Sequence, residues 1–291
     1  MTRTWPLALA ALLASATFGY LAGAAPHQAA ADRSAQSGDE EAGVSPVPPV
    51  EPPIESQMLK GNVRAGAIRN MIRTKQDVRD FTLLWGSNPD GMFANTFMGI
   101  PTIQNPTDVW ITHEIMYEVK PDFVVEAGTL EGGSAALWAT FLEQIHPTAK
   151  VITIDIRDLV TAAKELPVVK KRVEFLIGSS VDPKIVETVR ERVAGGRVMV
   201  ILDSSHTEEH VFKELQAYES MVSLGSYLIV QDTGIAIPRY ERWPTAPSGG
   251  AAGADRAVRR FMEDNRRFQT DLWRERLVMT NNPGGFLRRV R

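Results

Sequence analysis

Five short, largely apolar runs recur through the second half of the chain, at residues 123–126, 151–155, 173–176, 198–203 and 227–231. Most are rich in β-branched residues and lack the alternation of a half-exposed strand, so they predict strands covered on both faces. Between them, residues 134–144, 159–166, 183–193 and 208–221 repeat apolar positions at helical spacing. Residues 108–119 predict a further helix leading into the first strand. Successive strand ends fall roughly 21–29 residues apart, room for a crossover helix and two loops. This alternation predicts an α/β fold on an open, doubly wound, mostly parallel sheet.

Near the C-terminus, Asn281-Asn282-Pro283-Gly284-Gly285 precedes Phe286-Leu287-Arg288-Arg289-Val290. Residues 277–290 therefore predict two strands joined by a turn, an antiparallel pair closing one edge of the sheet.

The N-terminal third is patterned differently. Arg3 precedes an uncharged run from Trp5 to Ala31 whose densest apolar stretch is residues 6–13. Ala22-Gly23-Ala24 supplies the small residues of a cleavage site, so residues 1–31 are expected to be a signal peptide. An uncleaved anchor is the alternative, because the run is long enough to cross roughly 30 Å of hydrocarbon. Either reading sends the rest of the chain outward, although a cytoplasmic catalytic domain stays open. Residues 32–57 carry Pro46, Pro48, Pro49, Pro52 and Pro53 among polar residues, and predict a tether with too little apolar surface to fold. Folded structure is expected from residue 58 to 291.

Composition narrows the chemistry. The absence of cysteine excludes disulfides, thiolate zinc sites and cysteine nucleophiles. A net charge of −3 gives no reason to expect a nucleic-acid partner. The Lys170-Lys171-Arg172 and Arg288-Arg289 clusters read as solvated ends of elements.

Candidate chemistry stands at the strand ends, where open parallel sheets bind ligands. The first strand runs into Glu126-Ala127-Gly128-Thr129-Leu130-Glu131-Gly132-Gly133-Ser134, a glycine-rich turn opening a helix with free amide groups. Asp155 ends the second strand, placed to accept hydrogen bonds from both hydroxyls of a ribose. Together these predict a nucleoside-cofactor pocket. The turn is not G-x-G-x-x-G, and Glu126 would face the pyrophosphate of a nicotinamide cofactor. S-adenosylmethionine has no phosphate, and its ammonium group tolerates a carboxylate. Asp203, Gln231 and Asp232 close the fourth and fifth strands, two carboxylates and a carbonyl of the kind a hard divalent cation takes. His206 reads equally as a base and as a bond to its own loop. Residues 239–244 with 248–250 read as an aromatic lid or a long surface loop.

These motifs resemble the cephalosporin hydroxylase and rhamnosyl O-methyltransferase family. The resemblance rests on Glu126-x-Gly128-Thr129-x-x-Gly132-Gly133-Ser134, Asp203-Ser204-Ser205-His206, Gln231-Asp232-Thr233 and Asn282-Pro283-Gly284-Gly285. Upstream, Asn95-Thr96-Phe97-Met98-Gly99 and Asn105-Pro106-Thr107-Asp108-Val109-Trp110 fit it too. It implies a Rossmann-like methyltransferase that binds S-adenosylmethionine and magnesium or a similar cation. Glu126, Gly128, Thr129, Gly132 and Ser134 are then expected to line the cofactor pocket, and Asp155 to hold the ribose. Asp203 and Asp232 would bind the metal, with Gln231 standing where the family usually places a carboxylate. The expected acceptor is a small molecule, with glycosides and glycolipids in the class; membrane association through the N-terminus and a homo-oligomer fit the same picture. A non-catalytic exported binding module and, behind it, a nicotinamide-dependent oxidoreductase are the competing readings.

Overall fold

The computed structural model describes Asn88, residues 91–234 and residues 253–291. The expected signal or anchor, the tether and the lid segment lie outside the described residues. A hairpin of β1 (Thr96–Phe97) and β2 (Ile100–Pro101) precedes helix α1 (Pro106–Val119). Then come β3 (Phe123–Ala127), α2 (Gly133–Ile145), β4 (Lys150–Asp155), α3 (Pro167–Arg172) and β5 (Val173–Ile177). The chain continues through α4 (Pro183–Arg192), β6 (Val198–Leu202), α5 (Glu208–Tyr218) and β7 (Tyr227–Val230). It ends with α6 (Ala254–Asp264), β8 (Phe268–Thr270) and β9 (Phe286–Arg289). Among the described residues no helix is long and apolar enough to cross a membrane.

The seven-stranded sheet has the order β5-β4-β3-β6-β7-β9-β8. The first five strands are parallel, and β9 is antiparallel to both neighbours. Alternate residues of each strand point to opposite faces, and both faces are covered. Val125, Ile152, Val200 and Leu228 pack with Val189 of α4, Leu215 of α5 and Phe261 of α6. Val124, Val151, Ile201 and Ile229 pack instead with Ile115 of α1, Trp138 of α2 and Val169 of α3. Three layers result, and the central strands are largely apolar on both sides for that reason, with Glu126 of β3 and Thr153 of β4 as buried polar exceptions.

Helix starts follow local chemistry. Asn105 accepts from Thr107 N and Asp182 from Lys184 N, each with proline at the next position, whose missing N–H is not needed there.

The structure departs from the sequence pattern in three places. Residues 277–280 form no strand; β9 pairs with β7 and with β8, which lies upstream of a 3₁₀ turn at Leu272–Glu275. The helix expected over residues 159–166 is a 3₁₀ turn at Ala162–Glu165 followed by α3, because Pro167 starts a new helix. Lys170 and Lys171 are exposed as expected, but Arg172 is buried and donates to the Ala149 carbonyl at 3.0 Å. Arg274 is buried as well, bridging Glu118 of α1 to Asp271 and the Tyr227 hydroxyl, which fastens the C-terminal segment to the first helix.

Candidate functional site

After β5 the chain returns across β3 to form β6, so the order reverses between β4 and β6, with β3 at the turning point. Parallel sheets open a crevice beyond the strand ends at such a reversal. The glycine-rich turn after β3 borders it. Gly128 has φ +101°, and a Cβ there would lie 2.1 Å from the Asp203 carbonyl oxygen. Its missing side chain therefore lets two protein backbones meet. Gly132, at φ +86°, is the N-cap of α2 and faces Val160 and Ala163; Gly133 faces Pro101 and Thr102 of the N-terminal strap. Thr129 and Ser134 are buried in the same turn, with Thr129 Oγ1 2.6 Å from Thr153 Oγ1.

Glu126 is buried on the α2 side of β3. Its carboxyl accepts from Trp138 Nε1 at 2.8 Å and Thr153 Oγ1 at 2.7 Å. Burial pushes its pKa up to about 7, against the pull of those bonds.

Asp155 braces the turn. Its Oδ2 accepts from the amides of Thr129 at 3.1 Å and Leu130 at 2.9 Å, and its Oδ1 from Arg157 N at 3.1 Å. A carboxylate offers about four lone-pair positions, so room for a ligand hydroxyl remains. Leu130, Ile156 and Ile177 are 40%, 67% and 50% exposed at the ends of β3, β4 and β5. Strand-end aliphatic side chains left in water form the apolar counterpart to Asp155. The sequence reading missed Ile156 and Ile177, although an aliphatic residue directly after the acid was visible.

The second cluster borders the first through the Gly128–Asp203 contact. Asp203, His206 and Asp232 each present a ligating atom, all within 4.8 Å of one another, and all three are partly exposed. His206 Nε2 stands 3.4 Å from Asp232 Oδ2. Asp232 adopts φ +58°, and Asn282 Oδ1 accepts from its amide at 2.9 Å, so the C-terminal loop holds it in place. Burial and the charge of Asp232 raise the pKa of Asp203; burial raises that of Asp232, opposed by His206. Carboxyls crowded in this way are relieved by a divalent cation, and two carboxylates suit one.

Gln231 lies behind this cluster, 5% exposed. Its carboxamide pairs with Gln104, a residue in the segment between β2 and α1 that carried no motif signal. Gln104 Nε2 donates at 2.9 Å to both Asp203 Oδ2 and Gln231 Oε1, and Gln231 Nε2 donates at 3.0 Å to Gln104 Oε1. A surface depression lined by Lys120, Asp122, His146 and Arg197 lies at the amino ends of β3 and β6, the opposite edge of the sheet. It holds none of these groups.

The chain is similar to known proteins over most of its described residues. The profile of the family described as Rhamnosyl O-methyltransferase/CmcI matches residues 92–290. The rhamnosyl O-methyltransferase of Mycobacterium tuberculosis (strain ATCC 25618 / H37Rv) is 33% identical over 199 residues, which cover 66% of this chain and 77% of the relative. Its counterpart in Mycobacterium leprae (strain TN) is 31% identical over 159 residues, 52% of this chain and 67% of that protein. Among solved structures, "cmcI-D160 Mg-SAM" aligns with a TM-score of 0.49 at 18% identity, covering 71% of this chain and 83% of that one. On the extent of the family match, the chain belongs to the rhamnosyl O-methyltransferase/CmcI family.

Proposed function

We propose that this chain is an S-adenosylmethionine-dependent, metal-assisted O-methyltransferase acting on a hydroxyl of a sugar or other small molecule. The observation that carries the reading is the adjacency of two half-sites. The turn braced by Asp155 borders the Asp203–His206–Asp232 cluster through the Gly128–Asp203 contact. The relatives' name, rhamnosyl O-methyltransferase, supports oxygen as the acceptor and a sugar as its class.

In this reading Asp155 accepts from the donor's ribose while it keeps the turn in shape, and Leu130, Ile156 and Ile177 cover apolar surface of the nucleoside. Asp203, Asp232 and the Gln231 carbonyl would hold magnesium or a similar cation, which when bound would lower the pKa of the acceptor hydroxyl. His206 takes the proton as the oxygen–methyl bond forms and the sulfur–methyl bond breaks. Holding both reactants in line supplies much of the acceleration.

Calorimetry of the full chain with S-adenosylmethionine and its demethylated product tests the donor half. Asp155→Ala should weaken binding by about 1.5–3 kcal/mol, the loss of a hydrogen bond to a charged group. No heat with either compound sinks the assignment, and heat with NAD alone would replace it. Asp203→Asn should abolish chelator-sensitive methylation of a rhamnoside while leaving donor binding nearly unchanged. Turnover indifferent to chelator would remove the metal and leave methyl transfer with His206 as base.

A further inference from the structure

The Gln104–Gln231 pair poses a polarity problem. Turned about its terminal bond, Gln231 would bring its amide nitrogen within 2.8 Å of Asp203 Oδ2; unturned, its carbonyl oxygen occupies that place. Turning Gln231 alone faces nitrogen to nitrogen and oxygen to oxygen across its pair with Gln104, at 2.9 and 3.0 Å. Turning both restores the pair but aims the Gln104 oxygen at Asp203 Oδ2, across the 2.9 Å now spanned by a hydrogen bond. In either self-consistent arrangement one amide oxygen faces the Asp203 carboxyl within hydrogen-bond distance. Two acceptors held that close need a proton or a cation between or beside them.

The spacing fits a cation. Ligand oxygens at roughly 2.0–2.1 Å from an octahedral magnesium stand about 2.9 Å from one another. Asp203 Oδ2 and the Gln231 oxygen are therefore spaced as neighbouring ligands of one ion. Gln104 Nε2 donates to both oxygens. Its own oxygen takes the Gln231 amide nitrogen, which points that nitrogen away from Asp203.

Resting on the metal-assisted reading above, we infer that Gln104 is the positioning residue of the cation site: with its own nitrogen on Asp203, it turns the Gln231 oxygen toward the ion. A glutamine at 231 needs such a partner, because a carboxamide has a right and a wrong way round. A carboxylate there would present oxygen either way. Gln104 is 6% exposed, in the strap whose Thr102 and Pro101 abut Gly133. One short segment thus touches both half-sites.

The test is manganese binding to the full chain, read as free-ion paramagnetic resonance, in wild type, Gln104→Met, Gln231→Glu and the double variant. Gln104→Met should weaken binding about 10- to 100-fold, the usual scale for loss of a group orienting a metal ligand. In the Gln231→Glu background the same change should cost less than about 3-fold, since no amide orientation remains to be set. Equal losses in both backgrounds, or none in either, overturn the inference. Wild-type protein labelled at glutamine side chains supplies a reading independent of whether Gln104→Met folds. Saturating magnesium should shift two protected carboxamide signals, and no shift counts against the proposal. If no variant or wild type shows a saturable manganese site, the metal reading itself has failed, and that outcome differs from a site that ignores Gln104.

Discussion

Gly128 carries more structural constraint than any other residue in the turn. Its φ of +101° disfavours a side chain, and the Asp203 carbonyl occupies the place of a Cβ. Gly128→Ala should therefore destabilise the chain by at least about 1–3 kcal/mol, the usual cost of forcing atoms into filled space. It should also push Asp203 away from Asp232, so melting temperature and cation affinity are expected to fall together. Glu126 makes a prediction about pH. Its carboxyl ordinarily titrates near 4.5 but is raised to about 7 in the folded chain, chiefly by burial. Between those values the folded state binds more protons than the unfolded one, so this group's contribution to stability falls as pH rises toward 7. Glu126→Gln, which is neutral throughout, should stabilise the protein relative to wild type at pH 8 and show little advantage at pH 4. Parallel melting curves across that range for the two proteins would contradict the burial argument.

Between elements, buried polar ties hold the loops that shape the crevice. Glu214 of α5 is wholly buried, and its Oε1 accepts from Ser180 after β5 at 2.5 Å and Ser204 after β6 at 2.6 Å. Glu214→Leu would leave the Ser204 hydroxyl without this acceptor and the Ser180 hydroxyl with only His210 Nε2, 3.1 Å away, at a cost of about 1–3 kcal/mol. Amide exchange near Ser180 and Ser204 should accelerate together, because one carboxyl ties both loops; acceleration of one alone would show that the tie is not shared. The strands that bear these loops were legible from sequence, because coverage on both faces writes an unbroken apolar run. So were Glu126, Asp155, Asp203 and Asp232, since acids ending such runs break the pattern. The hairpin β1–β2 and strand β8, of two and three residues, were not. Their length is below any period, and pairing partners rather than local pattern make them strands. Helix α6 has a strong apolar stripe in Ala254, Ala257, Val258 and Phe261 opposite a face of arginines and acids; it was legible, and the sequence reading passed over it. Gln104 was beyond reach of local reading. Its partners Asp203 and Gln231 lie 99 and 127 positions away, and the Asn105–Trp110 motif beside it stops one residue short of it.

At the scale of the molecule, two apolar layers cover the two faces of one sheet. The layer packed by α1, α2 and α3 and the layer packed by α4, α5 and α6 draw their buried residues from positions between Ile111 and Phe286 and between Val125 and Leu287. The family match begins at residue 92. The sequence upstream of residue 58 is rich in proline and in small and polar residues, apart from its first uncharged run. Removing residues 1–57 is therefore expected to leave a protein that melts in one cooperative transition, with midpoint within a few degrees of the full chain. A surface change of up to about 0.5 kcal/mol moves a domain of this size by no more than about 2 °C. Donor and manganese affinities should be unchanged as well, because every residue assigned to either half-site lies between Gln104 and Asp232. A shortened chain that melts broadly, or that keeps its melting transition but loses donor binding, would show that the upstream segment packs on the domain and completes its site.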